Sequence, residues 1–237
     1  MKITQAPRAR GKARHDTWRW KSTDATRQTL LDAAQELFTE RGYSHVKVAD
    51  VVARAGVSTG SFYHHFGAKQ DLYTELWRAH CTASDEACEQ AVAAARQAGE
   101  QDPVGLWAAG ARAILEDTWR RRDVAKLFLA SEKPPDFDTV QGGRHAQLTE
   151  RSRRVLELPD TDQGRLYANC LQSMIRAGAR TTVQTPGRAE SKLVIEATIS
   201  YCLRLMVSGP ATPDTAVPDT APSDTAAPDT ATAAGAR

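Results

Sequence analysis

Between Val48 and Phe66 the chain carries two apolar sets, each too short to stand alone as a helix, joined by a short stretch that opens on Gly56. Val48, Val51, Val52 and Ala55 fall at i, i+3, i+4 and i+7, one face of a helix, and Asp50 and Arg54 interrupt any strand alternation. Gly56 suits the left-handed residue that closes a helix, and Ser58 suits the N-cap that opens the next. Phe62 and Phe66 then lie one turn apart. Isolated helices of this length are marginal in water, so the pair has to share a small core, with Val57 plugging the gap between them. The spacing predicts helix, turn, helix over 48–66.

The rest of the chain extends the same pattern. Leu30, Ala33, Ala34, Leu37 and Phe38 recur at helical spacing, in a helix that starts at Thr23 or Thr26 as N-cap and stops at Gly42. After Lys69 long helices are predicted over 69–98, 103–119, 122–132, 140–157, 161–180 and 188–207. The breaks fall at Gly99 to Pro103, Pro134-Pro135, Gly142-Gly143, Pro159 and Pro186-Gly187. No hairpin signal appears. The expected fold class is all-α: a three-helix helix-turn-helix domain followed by a helical bundle, about nine helices in all.

The two ends differ from this body. Residues 1–22 carry a net charge of +6, which leaves −4 on the remainder of a chain with net charge +2. This arm has no apolar periodicity and is expected to be disordered, with Trp18 and Trp20 placed to tack it onto the body. It reads equally as a solubility segment or as an arm that tracks phosphates or enters a minor groove. Residues 209–237 repeat Pro, Asp, Thr and Ala with almost no large apolar side chain, and are expected to form a disordered tail. No apolar run approaches the ~20 residues that span a bilayer, and the basic N-terminus lacks the apolar stretch of a secretory signal. The expected address is the cytoplasm, with no membrane partner. Cys81, Cys88, Cys170 and Cys202 are scattered and form no CxxC pair, so they read as reduced core thiols.

Within 48–66, the residues left at the exposed start of the second helix are Thr59, Gly60 and Ser61, small enough for that end to enter a major groove. Tyr63 and His64 lie further round, and Lys69 opens the next helix, all within reach of phosphates. Adjacent His64 and His65 point about 100° apart on a helix, which excludes the i, i+4 chelation of a metal. His65 reads as a structural residue near the turn.

These residues carry a resemblance. The segment "TRQTLLDAAQELFTERGYSHVKVADVVARAGVSTGSFYHHFGAKQDLYTELW" is similar to the DNA-binding domain of the TetR/AcrR family of transcriptional regulators. The matching positions include Arg27, Leu30, Gly42, Tyr43, Val51, Ala55, Gly56, Val57, Gly60, Phe62, Tyr63, His65, Phe66, Lys69 and Leu72. Two positions depart from the family's pattern: Lys47 stands where members carry a capping Thr, and Ala68 where they often carry Ser or Asn. The resemblance implies DNA contacts at Lys47, Ser58, Thr59, Gly60, Ser61, Tyr63, His64 and Lys69. It divides the chain into the arm (1–22), the DNA-binding domain (23–72), a ligand-binding and dimerisation domain (73–208) and the tail (209–237).

The function it implies is a sequence-specific regulator: a homodimer on a palindromic operator in double-stranded DNA, most simply a repressor relieved by a small-molecule effector, with no cofactor. Trp77, Trp107, Trp119, Phe128, Tyr167, Cys170 and Met174 are the candidate pocket walls. Leu193, Ile195, Ile199, Leu203 and Met206 are the candidate dimer face. The competing readings are a non-specific architectural DNA binder driven by the arm, and an enzyme on a helical bundle. The scattered His15, His45, His80 and His145 form no catalytic constellation to support the second.

Overall fold

The computed structural model describes residues 12–129 and 132–207, with side chains from Asp24 onward. The tail, the first part of the basic arm, and the side chains of Trp18 and Trp20 lie outside the described residues. Among those described the chain is all-α. The described residues form nine helices, α1 (Lys12–Arg41), α2 (Val48–Ala55), α3 (Thr59–His65), α4 (Lys69–Gln97), α5 (Pro103–Arg120), α6 (Arg122–Leu129), α7 (Phe137–Val155), α8 (Asp162–Gln184) and α9 (Arg188–Val207). No helix among the described residues is long and apolar enough to cross a membrane.

Three expectations on helix boundaries need correction. Residues 12–22 belong to α1 rather than to a structureless arm. From Lys12 to the end of α1 there is no Gly or Pro, so a polar helix continues upstream where apolar periodicity gave no signal. Gly142 and Gly143 do not break the chain but sit inside α7 with open space around them, each at a propensity cost of about 1 kcal/mol against Ala. The helix predicted to reach residue 132 does not include it: its described residues run to Leu129.

Two apolar cores organise the helices. The first joins Leu30, Leu37 and Phe38 of α1, Val51 of α2, Phe62 of α3 and Leu72, Tyr73 and Leu76 of α4. It does not stop at residue 72: Leu127 and Phe128 of α6 and Phe137 of α7 pack into it. Tyr73 is the hinge of this arrangement. It is fully buried, its hydroxyl donates to the Leu127 carbonyl at 3.0 Å, and its ring meets those of Tyr43, Phe128 and Phe137 edge-on at 4.8–5.3 Å. The second core joins Trp107 and Leu115 of α5, Leu171 and Ile175 of α8, and Ile195, Ile199 and Cys202 of α9. Gly178 permits the close approach of α8 to α9, because a Cβ there would sit 2.5 Å from the Thr198 Oγ1.

Candidate nucleic-acid interface

The helix-turn-helix is built by local chemistry. Gly56 adopts φ 65°, ψ 29°, and the Val57 N–H reaches back to the Val52 carbonyl at 3.1 Å, closing α2. Val57 is half-buried against the first core, as its place between the helices requires. Ser58 is extended and its Oγ accepts the Ser61 N–H at 3.1 Å, the N-cap that starts α3. Phe62 and Phe66 are buried, and Ala55 packs partly against the same core.

The two positions without a capping side chain are served from three residues downstream. The Asp50 carboxylate accepts the Lys47 N–H at 2.8 Å, and the Asp71 carboxylate accepts the Ala68 N–H at 2.9 Å. Each is half of a capping box, and each puts a negative charge at a helix N-terminus, where the macrodipole favours it.

Burying Phe62 decides what α3 shows to solvent. At 100° per residue, positions 59, 63, 60 and 64 share an arc of about 140° on the opposite side. Thr59, Gly60, Tyr63 and His64 are all exposed, Tyr63 by 58%. Ser61 is half-buried at the edge of the arc, its hydroxyl 3.0 Å from that of Ser58. Gly60 is not required by the fold: a Cβ there would meet only the Ser58 Oγ, at 3.7 Å. Its missing side chain leaves backbone open on the outer face. Lys47, at the start of α2, is exposed.

The arc is braced from behind. Arg54 of α2 pairs with Glu36 and Glu40 of α1 at 2.9 and 3.1 Å. Arg27 pairs with Glu75 of α4 at 2.8 Å and lies over the Phe66 ring. His65 is half-buried with its ring beside that of Phe66, and burial, reinforced by His64 and Arg27 and opposed by Asp24, lowers its pKa.

Lys69 does not point outward. Its ammonium donates to the Tyr43 and Val46 carbonyls at 2.7 and 2.8 Å and stands 3.9 Å from the centre of the Tyr43 ring. Burial lowers its pKa, with Glu132 pulling the other way. Two of its three donors therefore hold the loop that leads into α2, and one remains. Glu132, which follows α6, accepts the Ser44 N–H of that same loop. The bundle thus grips the loop by a residue that the sequence did not single out.

The bundle holds two chambers. The first has a volume of about 870 Å³ including its open mouth, and the second about 1070 Å³. Ile114, Leu148, Gln172 and Ile175 wall both. Of the expected pocket residues, Trp77 and Phe128 line the first and Trp107 the second. The others are elsewhere. Trp119 is buried with the Arg122 guanidinium over its ring, and Tyr167 packs against the second core with its hydroxyl on the Leu205 carbonyl. Cys170 is exposed, and Met174 lines a shallow groove between α8 and α9. Missed by sequence reasoning were His80, Gln141, Arg144 and Arg176, all on the wall of the first chamber. The stripe Gln141, Arg144, Leu148 at helical spacing on α7 was the available signal.

The expected dimer face also needs correction. Ile195 and Ile199 are buried in the chain's own second core, and Leu203 and Met206 pack partly against it. Only Leu193 is strongly exposed, by 72%, and the outer stripe it begins continues through Ala197 to Tyr201. The period of α9 was legible, but both of its faces are apolar, so periodicity alone did not say which one the chain itself covers.

The family described as "Bacterial regulatory proteins, tetR family" matches residues 30–76. The HTH-type transcriptional regulator AcrR of Shigella flexneri is 42% identical over 52 residues, 22% of this chain and 24% of that protein. The matched segments of the first curated relatives span 24–28% of those proteins' length. The HTH-type transcriptional repressor AcnR of Corynebacterium efficiens is 28% identical over 145 residues, 60% of this chain and 69% of that protein. Among solved structures, Thermus thermophilus FadR, a TetR-family repressor in complex with lauroyl-CoA, aligns at TM-score 0.55 and 21% identity over 81% of this chain and 98% of that one. The helix-turn-helix built from Gly56, Ser58, Phe62 and Phe66 lies inside the segment that is similar to the tetR family of bacterial regulatory proteins.

Proposed function

We propose that the chain is a sequence-specific DNA-binding transcriptional regulator, a cytoplasmic homodimeric repressor that a small molecule releases from its operator. The observation that carries this reading is the exposed arc of α3, with Thr59, Gly60, Tyr63 and His64 outward and Phe62 locked inward. A short helix with small residues at its N-terminal end and polar tips behind them fits a major groove. In this reading Thr59 and Gly60 meet base edges, while Lys47, Ser58, Ser61, Tyr63, His64 and the free donor of Lys69 meet phosphates.

The reading head comprises α1 to α3 with the start of α4, and the rest of the bundle is the effector and dimerisation domain. Two copies pair through the outer stripe Leu193, Ala197 and Tyr201 and the groove beside it, and read half-sites about 34 Å apart. Trp77 and Phe128 belong both to the first chamber's wall and to the aromatic set around Tyr73 and Tyr43. An effector that moves them alters the support of the loop held by Lys69 and Glu132, and so the pose of α2 and α3. AcnR and FadR bear the name repressor, and the ligand in the FadR structure supports ligand response in this fold.

Titration of the protein against DNA from upstream of its own gene, beside random DNA at two salt concentrations, tests the reading. Tight binding to one protected, roughly palindromic site is expected; a specificity ratio near one would overturn it in favour of an architectural binder.

A further inference from the structure

The first chamber has a one-sided chemistry. Its body is apolar, walled by Trp77, Phe128, Ile114 and Ile175. Among the described residues no carboxylate lines it, while two guanidinium groups do. Arg144 is balanced by Asp85 at 2.6 Å. Arg176 is exposed at the mouth; among the described residues its one hydrogen bond is to the Gln141 Oε1 at 3.4 Å, and it has no carboxylate partner there. Deeper in, the His80 Nδ1 is buried without a hydrogen-bond partner, on a ring stacked against Trp77. A buried polar atom left unpaired costs free energy that a ligand can recover.

We propose that this chamber takes an apolar monocarboxylate, its body against Trp77 and Phe128 and its carboxylate on Arg176, with His80 offering a second hydrogen bond. One uncompensated cation selects a single negative charge, and the planar guanidinium fork matches a carboxylate. A cationic ligand meets repulsion with no acid to offset it. The inference rests on the reading of the bundle as an effector domain. The four residues shared with the second chamber form a partition: a compact aromatic acid stops at it, whereas a fatty acid passes only if Ile114, Leu148, Gln172 and Ile175 yield.

Calorimetric titration of the full chain, without DNA, with naphthoate, decanoate, the corresponding alcohols and decylamine tests this. At least one acid should bind, its alcohol about tenfold or more weaker, and the amine not at all. R176Q should bring that acid to the level of its alcohol while leaving the alcohol's affinity and the melting temperature unchanged. Naphthoate binding without decanoate assigns aromatic acids; decanoate binding assigns fatty acids that cross the partition. Acids no tighter than alcohols, binding of the amine, an acid preference that survives in R176Q, or no binding by any probe would each overturn the assignment. An acid that binds but leaves operator affinity unchanged would instead sink the effector reading and leave the ligand class standing.

Discussion

Replacing Gly60 with Ala separates the two demands made on α3. In the fold the substitution is benign. Gly60 sits in the first turn of the helix, and the nearest atom to an added Cβ is the Ser58 Oγ at 3.7 Å, ordinary van der Waals contact. Alanine there lowers the entropy of the unfolded chain and favours the helix, by at most about 1 kcal/mol. In a chain of this size that raises the melting temperature by about 1–4 °C. On DNA the same methyl is expected to be costly. It stands in the middle of the exposed arc, where the proposed mode brings backbone against the groove, and a sub-ångström standoff loosens every contact made by Thr59, Tyr63 and His64 together. The expected loss of operator affinity is tenfold or more, about 1.4 kcal/mol. Fluorescence anisotropy with the protected site, run beside a thermal melt of the same preparation, reads both effects. A more stable protein with unchanged operator affinity would refute the placement of Gly60 at the interface; a less stable one would refute the account of the fold.

Three further substitutions probe separate parts. Tyr63→Ala removes an exposed ring that rests edge-on against Phe62 at 5.1 Å; binding should weaken about tenfold on operator and random DNA alike, since phosphate contacts carry no sequence information, and a loss confined to the operator would reassign Tyr63 to base readout. Asp50→Ala deletes the acceptor of the Lys47 N–H and should cost about 1 kcal/mol in urea denaturation, so an unchanged midpoint would show that the half capping box contributes nothing. Glu132→Ala cuts the grip on the Ser44 N–H. Hydrogen bonds from Ser44 hold the Glu132 carboxyl below its ordinary pKa of 4.5, so its stabilisation is present above that value and lost as the pH falls through the lowered one. Wild type should therefore exceed the variant in urea midpoint at pH 7 and match it in strong acid; a gap that persists there would contradict the assignment.

The helix-turn-helix was legible because its determinants are local. Gly56, Ser58 and the Phe62–Phe66 pair act within one or two turns, and the chain follows them. Where Lys47 and Ala68 left caps unfilled, Asp50 and Asp71 were already visible three residues on, though only geometry shows the carboxylates reaching back. Tertiary effects were not legible. Lys69 turns inward because the Tyr43 and Val46 carbonyls lie in its path, and those are more than twenty residues away in sequence. Glu132 reaches Ser44 across 88 positions. On α9 the residues named for a dimer face are mostly taken up by the chain's own second core, and the free stripe runs through Leu193 and Tyr201 instead. The chamber walls were half found, since aromatic size suggests a pocket but the polar groups of α7 and α8 have no sequence mark beyond their spacing.

The most direct test of the central claim is selection of bound duplexes from a random DNA library by the wild-type protein and by a Thr59→Ala variant. The account predicts that wild type enriches a palindrome with half-sites about one helical turn apart, and that the variant changes the preferred bases at the same position of both half-sites while the spacing stays. Enrichment of no motif, or a Thr59→Ala motif identical to that of wild type, would contradict the claim that α3 reads DNA sequence through this arc.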